Sequence, residues 1–174
     1  READPRHVPI STMSNNSERD HSDSEEDEDD LSNEILDLDA FNQLLSMDDD
    51  TDEDYEFSRE IVQSYLEQAK STFADMDQAL SAKDLSKLSS LGHFLKGSSA
   101  TIGVKKVQEC CKHIQFLGKL HNMDGQGSVD EDEALKLIAK ELKVGKEEYE
   151  KANEFLGFFY ETDFTDQDAK EPSN

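Results

Sequence analysis

Positive charge is scarce in this 174-residue chain. Its 18 Lys and Arg face 42 Asp and Glu, for a formal net charge of −24. That balance argues against nucleic acid or an anionic membrane as a partner, because both would repel it. Long apolar runs are lacking too: none approaches the roughly 18 residues that span a bilayer, and no charged-then-apolar leader opens the sequence. Cysteine is limited to the neighbours Cys110 and Cys111. Adjacent helical residues point about 100° apart, so a disulfide between the two would strain the backbone. A zinc site drawing on both, with His113 and His121, is disfavoured for the same reason. Free thiols suit a reducing compartment, and cytoplasm with access to the nucleus is the expected location. Nucleotide machinery is missing: there is no G-x-x-x-x-G-K-[ST] and no glycine-rich kinase loop, so the chain is not expected to use ATP. No alternating strand pattern occurs anywhere.

The acidity is uneven. Residues 1–56 hold 21 of the acids and only 3 of the bases. Residues 1–33, with SDSEEDEDD at 22–30, carry too little apolar surface to offset the entropy of ordering and are expected to be a disordered acidic tail. Residues 1–12 open without a Met and are expected to be either foreign to the native chain or a cut boundary, with Met13 a candidate start. A domain is expected over 34–162, followed by a frayed tail over 163–174.

Within that domain the periodicity is helical. A short helix near Asp37–Met47 carries Leu38, Phe41, Leu44 and Leu45 on one stripe. MDDDTDEDYE (47–56) breaks it and fails the calcium-loop register, with Glu53 where glycine is required. A second helix is expected from an N-cap at Ser58, stapled by Phe57 and Val62. Ile61, Tyr65, Leu66, Ala69, Phe73, Met76 and Leu80 line it. Asp84 caps a third helix over 85–101, ended by Gly103. A fourth runs over about 104–121, burying Val107, Cys111, Ile114 and Leu117. A capping box of Ser128 and Glu131 opens a last helix of about 30 residues, in which Gly145 marks a candidate bend. The fold class is therefore all-α: an antiparallel four-helix bundle with a short additional N-terminal helix.

The most informative stretch is HFLKGSSATIG, His93 to Gly103. Residues three, four and seven apart share a helix face. Around His93 that face holds Ser89, Ser90, Lys96, Gly97 and Ala100, with Gly92 alongside. Leu88, Leu91, Leu95 and Ile102 fall on the other side. One imidazole thus stands on a flat patch with a cation one turn on, where something large can reach it. Neither His113 nor His121 is followed by Lys-Gly, and Ser98 and Ser99 have no histidine–acid pair in a context that would make them nucleophiles.

This stretch resembles the signature of histidine-containing phosphotransfer (HPt) domains. LLSMDDD (44–50), EQAKSTFADM (67–76), LGHFLKGSSA (91–100) and IQFLG (114–118) extend the likeness from Leu44 to Leu120. They are similar to the fungal HPt intermediates of multistep osmosensing phosphorelays. The resemblance implies that His93 accepts a phosphoryl group from the receiver-domain aspartate of a hybrid sensor histidine kinase. It then passes the group to the aspartate of a response regulator. An imidazole, with an ordinary pKa of about 6.5, is a competent nucleophile near neutrality. Lys96 would neutralise the phosphoryl oxygens and Gly97 would let the partner approach. Gln115 matches the family glutamine that bonds the second ring nitrogen. Lys119 stands where the fungal pattern has arginine, keeping the charge without bidentate geometry.

Receiver domains are the expected partners of a monomer. Docking candidates are the small residues Ser89, Ser90 and Ala100, the exposed side of the first helix at Ala40 and Leu44, and Val104 and Gln108. No cofactor of its own is expected, magnesium belonging to the receiver. The alternative is a helical adaptor that binds such partners without carrying phosphate.

Overall fold

The computed structural model describes residues 32–49, 51 and 54–164. The expectations for the acidic tail up to residue 31 and for residues after 164 lie outside them, as does part of the acidic loop 47–56. After one helical turn at 32–35 come α1 (Leu38–Leu45), α2 (Glu56–Ser81), α3 (Leu85–Ile102), α4 (Lys105–Leu117) and α5 (Glu131–Phe159). Among the described residues the only β pairing is two isolated bridges, Leu36 with Val104 and His121 with Ser128.

Helices α2 to α5 form the antiparallel four-helix bundle, each touching the next and α5 closing back on α2. Buried hydroxyls mark the register. Tyr65 on α2 meets Ser99 on α3 at 2.9 Å, and Tyr149 on α5 donates to the Leu66 carbonyl at 2.9 Å. The core between them is aliphatic and sealed: Val62, Met76, Leu88, Leu95, Ile102, Ile114, Leu117, Ile138 and Leu156 are all fully buried. Each such side chain contributes about 1.5–3 kcal/mol relative to exposure.

The short α1 lies against the C-terminal end of α3. Asp37 caps it by accepting from the amides of Asp39 and Ala40, and the Asp37 amide donates to the Gly103 carbonyl at 2.7 Å. Phe41 is the anchor. It is buried and meets Phe159 and Tyr160 edge-on, with centroids 5.2 and 6.4 Å away.

Asp84 caps α3 through the Lys87 amide, and Gly103 ends it at φ 91°, a left-handed position where a side chain would be strained. Four local expectations are corrected. Helix α2 starts at Glu56, so Ser58 is not its N-cap. Ser58 is buried in the first turn, its amide donating to Asp48 Oδ1 and its hydroxyl accepting from Tyr160. A carboxylate from across the loop thus does the capping. Phe57, 45 % exposed, lies inside the first turn and not before the cap, where a staple residue sits. Asp130, not Ser128, caps α5; Ser128 is held in the bridge to His121 instead. Helix α4 stops at Leu117, because Leu120 turns left-handed at φ 61°. Helix α5 runs continuously through Gly145, where a side chain would touch Cys110 and Phe73 at 3.4 Å.

Candidate functional site

The 3.6-residue period of α3 sorts its side chains by burial. Leu88, Leu95, Ser99 and Ile102 go inside, Leu91 is half-buried, and His93 and Gly97 stay exposed. His93 directly follows Leu91–Gly92, and that glycine is what lets α4 come close. A Cβ on Gly92 would lie 2.8 Å from the Cys111 carbonyl and 2.9 Å from the Gln115 amide nitrogen. Ser89 fastens the same seam by donating to the Gln115 carbonyl at 2.9 Å. One turn further, Gly118 lets α4 end against the Leu85 carbonyl and Ser89.

This close approach delivers the Gln115 side chain to the imidazole. Gln115 Nε2 lies 3.1 Å from His93 Nδ1, and Lys96 Nζ donates to Gln115 Oε1 at 2.9 Å. Gln115 is buried, Lys96 half-buried and His93 exposed. The result is a three-residue chain, ammonium to amide to imidazole, that engages Nδ1 and leaves Nε2 outside it. Beside it, the Cβ position of Gly97 has no neighbour within 4 Å. An exposed imidazole, a fixed cation and an unobstructed approach therefore occupy one patch.

The remaining candidates divide by burial. Ser90 and Lys119 are exposed, and Ala40, Ala100 and Gln108 are half-buried. Leu44, Val104 and Ser89 are not available as a docking surface. Leu44 is 4 % and Val104 1 % exposed, both in the core, and the Ser89 hydroxyl is spent on the α3–α4 seam. The stripe of α1 and the first residue before α4 face inward because Phe41 and Leu36 pull those segments onto the bundle end. Sequence reasoning missed Phe94, which is 49 % exposed directly beside His93. Its signal was available: a phenylalanine next to an exposed histidine, off the Leu88–Leu95 stripe.

The other polar chemistry lies away from this patch. His113 on α4 pairs with Glu141 on α5 at 2.9 Å. Cys110 and Cys111 are buried free thiols. Burial, aided by Glu141, pushes the Cys110 thiol up to about 12, and burial pushes Cys111 up as well, so neither is a ready nucleophile.

Residues 60–144 match the Hpt domain family. The chain is 50% identical over 129 residues to multistep phosphorelay regulator 1 of Schizosaccharomyces pombe, covering 74% of this chain and 43% of that protein. It is 41% identical over 90 residues to the phosphorelay intermediate protein YPD1 of Saccharomyces cerevisiae, covering 51% and 52%. A solved structure, the co-crystal of the S. cerevisiae histidine phosphotransfer signaling protein Ypd1 with the receiver domain of its downstream response regulator Ssk1, superposes with a TM-score of 0.63. There the identity is 32%, over 74% of this chain and 96% of that one.

The chain belongs to the HPt family. It spans about half the length of the curated relatives it matches. The HPt match covers α3 and α4 entirely, and with them His93, Lys96, Gly97 and Gln115.

Proposed function

We propose that this HPt protein is a phosphorelay intermediate that carries a phosphoryl group on His93. The observation that carries the reading is the exposed imidazole held at Nδ1 by Gln115, with Lys96 within the same bond chain and open space at Gly97. The donor is the acyl phosphate on a receiver-domain aspartate. The Nε2 lone pair forms the N–P bond, the P–O bond to the carboxylate breaks, and its electrons stay on the aspartate. Passing the group to a second receiver reverses these steps. Transfer of this kind goes through a loose transition state, so alignment and charge neutralisation carry the catalysis. Lys96 supplies the charge and Gly97 the room. The magnesium that an acyl-phosphate site uses would belong to the receiver.

The partners follow from the same logic. Ypd1 is crystallised with a receiver domain, and for this chain we infer receiver domains of a hybrid sensor histidine kinase and of a response regulator, meeting a monomer. Phe94, Ser90 and Ala100 around His93 offer a small, partly apolar contact surface. No helix of the described residues is long and apolar enough to cross a membrane, and the free thiols favour a reducing compartment, so we place the protein in cytoplasm and nucleus.

The test is transfer from a receiver domain carrying radiolabelled phosphate. The wild-type chain should take up label that is acid-labile and base-stable. His93→Gln should fold alike and take up none. Equal labelling of the two would refute the assignment, and a chain that binds receivers but never labels would be the adaptor instead.

A further inference from the structure

The bond chain at His93 fixes more than the position of the ring. An ammonium has only donors. With Lys96 Nζ 2.9 Å from one terminal atom of the Gln115 amide, that atom must be the oxygen. The atom turned toward the imidazole is then the NH2 group, 3.1 Å from His93 Nδ1. An NH2 can only donate there, so Nδ1 must present its lone pair. In the neutral ring the proton is consequently on Nε2. Nε2 is the nitrogen left for phosphorus, and while it bears the proton it has no lone pair in the ring plane to attack with.

We infer that Lys96 acts through Gln115 as a positioning residue that holds His93 in its unreactive tautomer until a phosphoryl group draws the lysine away. This rests on the phosphorelay reading above. A dianionic phosphoryl group beside His93 competes with the neutral amide oxygen for the Lys96 ammonium, and charge-assisted bonds are roughly twice as strong as neutral ones. Once Lys96 leaves, only the bond to the ring still orients the amide. It can turn half a revolution about its last bond and offer Oε1 to Nδ1.

The exposed ring then gives its Nε2 proton to water and takes one from water at Nδ1, which donates to Gln115 Oε1, so Nε2 carries the lone pair. Attack forms N–P as the P–O bond to the aspartate breaks. The ring formed keeps its Nδ1 proton and a positive charge, which the amide oxygen stabilises and the amide NH2 could not. Charge is conserved: a neutral ring and a phosphoryl dianion become a carboxylate and a phosphorylated imidazolium. One lysine thereby couples the arrival of the phosphoryl group to the readiness of the nucleophile.

The tautomer is read directly by long-range 1H–15N correlation on the full chain with 15N-labelled histidine, with His93→Gln identifying the signals. The pH should lie about two units above the ordinary imidazole value of about 6.5. The free wild type should show a protonated Nε2 and an unprotonated Nδ1. Lys96→Met should move both nitrogen shifts toward a mixture, and Lys96→Arg, which restores a donor, should return the wild-type pattern. Gln115→Glu, with no NH2 to donate, should transfer the proton to Nδ1. Inorganic phosphate, added as a dianion probe until the Lys96 ammonium signal stops moving, should shift the wild-type ring toward Nδ1–H.

A free wild type protonated on Nδ1, or a Lys96→Met variant with unchanged shifts, overturns the inference. So does a ring that ignores phosphate, whether or not the Lys96 signal responds. None of these readouts involves a receiver. Failure of His93 to label from a receiver would therefore strike the proposed function, and a wrong tautomer with normal labelling would strike this inference alone.

Discussion

Two glycines on α3, five residues apart, do opposite work. Gly92 is buried where α3 meets α4, and a side chain there would collide with two backbone atoms at 2.8 and 2.9 Å. Gly97 is exposed, with nothing within 4 Å of its Cβ position. The first is needed by the protein's own packing, and the second is unneeded by it. A glycine in a helix interior costs about 0.5–1 kcal/mol against alanine. At Gly92 the close seam, which delivers Gln115 to His93, offsets that cost. At Gly97 nothing inside the molecule does, which fits the close approach of a second protein proposed above.

Substitution at either glycine separates the two roles. Gly92→Ala should have the largest effect on the fold. Forcing atoms into a sealed seam costs about 1–3 kcal/mol, and here both obstacles are backbone, so the loss exceeds the gain of at most about 1 kcal/mol in helix preference. Urea unfolding should show a net drop of about 2 kcal/mol, and the displaced Gln115 should slow phosphoryl acceptance too. Gly97→Gln should leave the urea midpoint nearly unchanged. It should lower transfer from a receiver about ten-fold or more, the equivalent of about 1.4 kcal/mol on the barrier. Unchanged transfer would mean that no partner passes over that position.

A third outcome concerns only the sealed side. Burial holds the Cys110 proton to a pH of about 12 against an ordinary 9.0, and raises Cys111 and Tyr65 as well. In the unfolded chain these groups ionise first, so the folded state binds more protons at high pH. Their contribution to stability is intact below pH 9.0 and is lost as the pH climbs toward 12. Unfolding midpoints measured across that window should fall, and less steeply for Cys110→Ser. The smallest effect is expected for Gly97→Ala, a stabilisation of about 0.5–1 kcal/mol from helix preference alone.

The same contrast explains what the sequence made legible. The bundle was readable because the apolar spacing of α2, α3 and α5 is regular and Asp84 and Gly103 mark the start and the stop of α3. The position of His93 followed from the α3 period alone. What escaped depends on contacts distant in sequence. Asp48 caps α2 from across a loop, so Ser58, which looks like a cap, is free to be a buried partner of Tyr160. Leu44 and Val104 face inward because Phe41 and Leu36 anchor α1 and its approach to the bundle end, and no local pattern announces that. The Gln115 contact to His93 rests on a resemblance in sequence and on a seam of glycines in space; periodicity by itself places Gln115 only on a neighbouring helix. Phe94 is the one large apolar side chain beside His93, off the buried stripe of α3, and so its exposure follows from the helical period.

At the centre stands the claim that the imidazole is held at Nδ1 from within and receives phosphorus at Nε2 from without. It is tested most directly by 31P–15N coupling in the full chain, 15N-labelled at histidine and phosphorylated by a receiver domain. One phosphorus is expected, bonded to Nε2 of His93. A bond to Nδ1, or to any other residue, would contradict it.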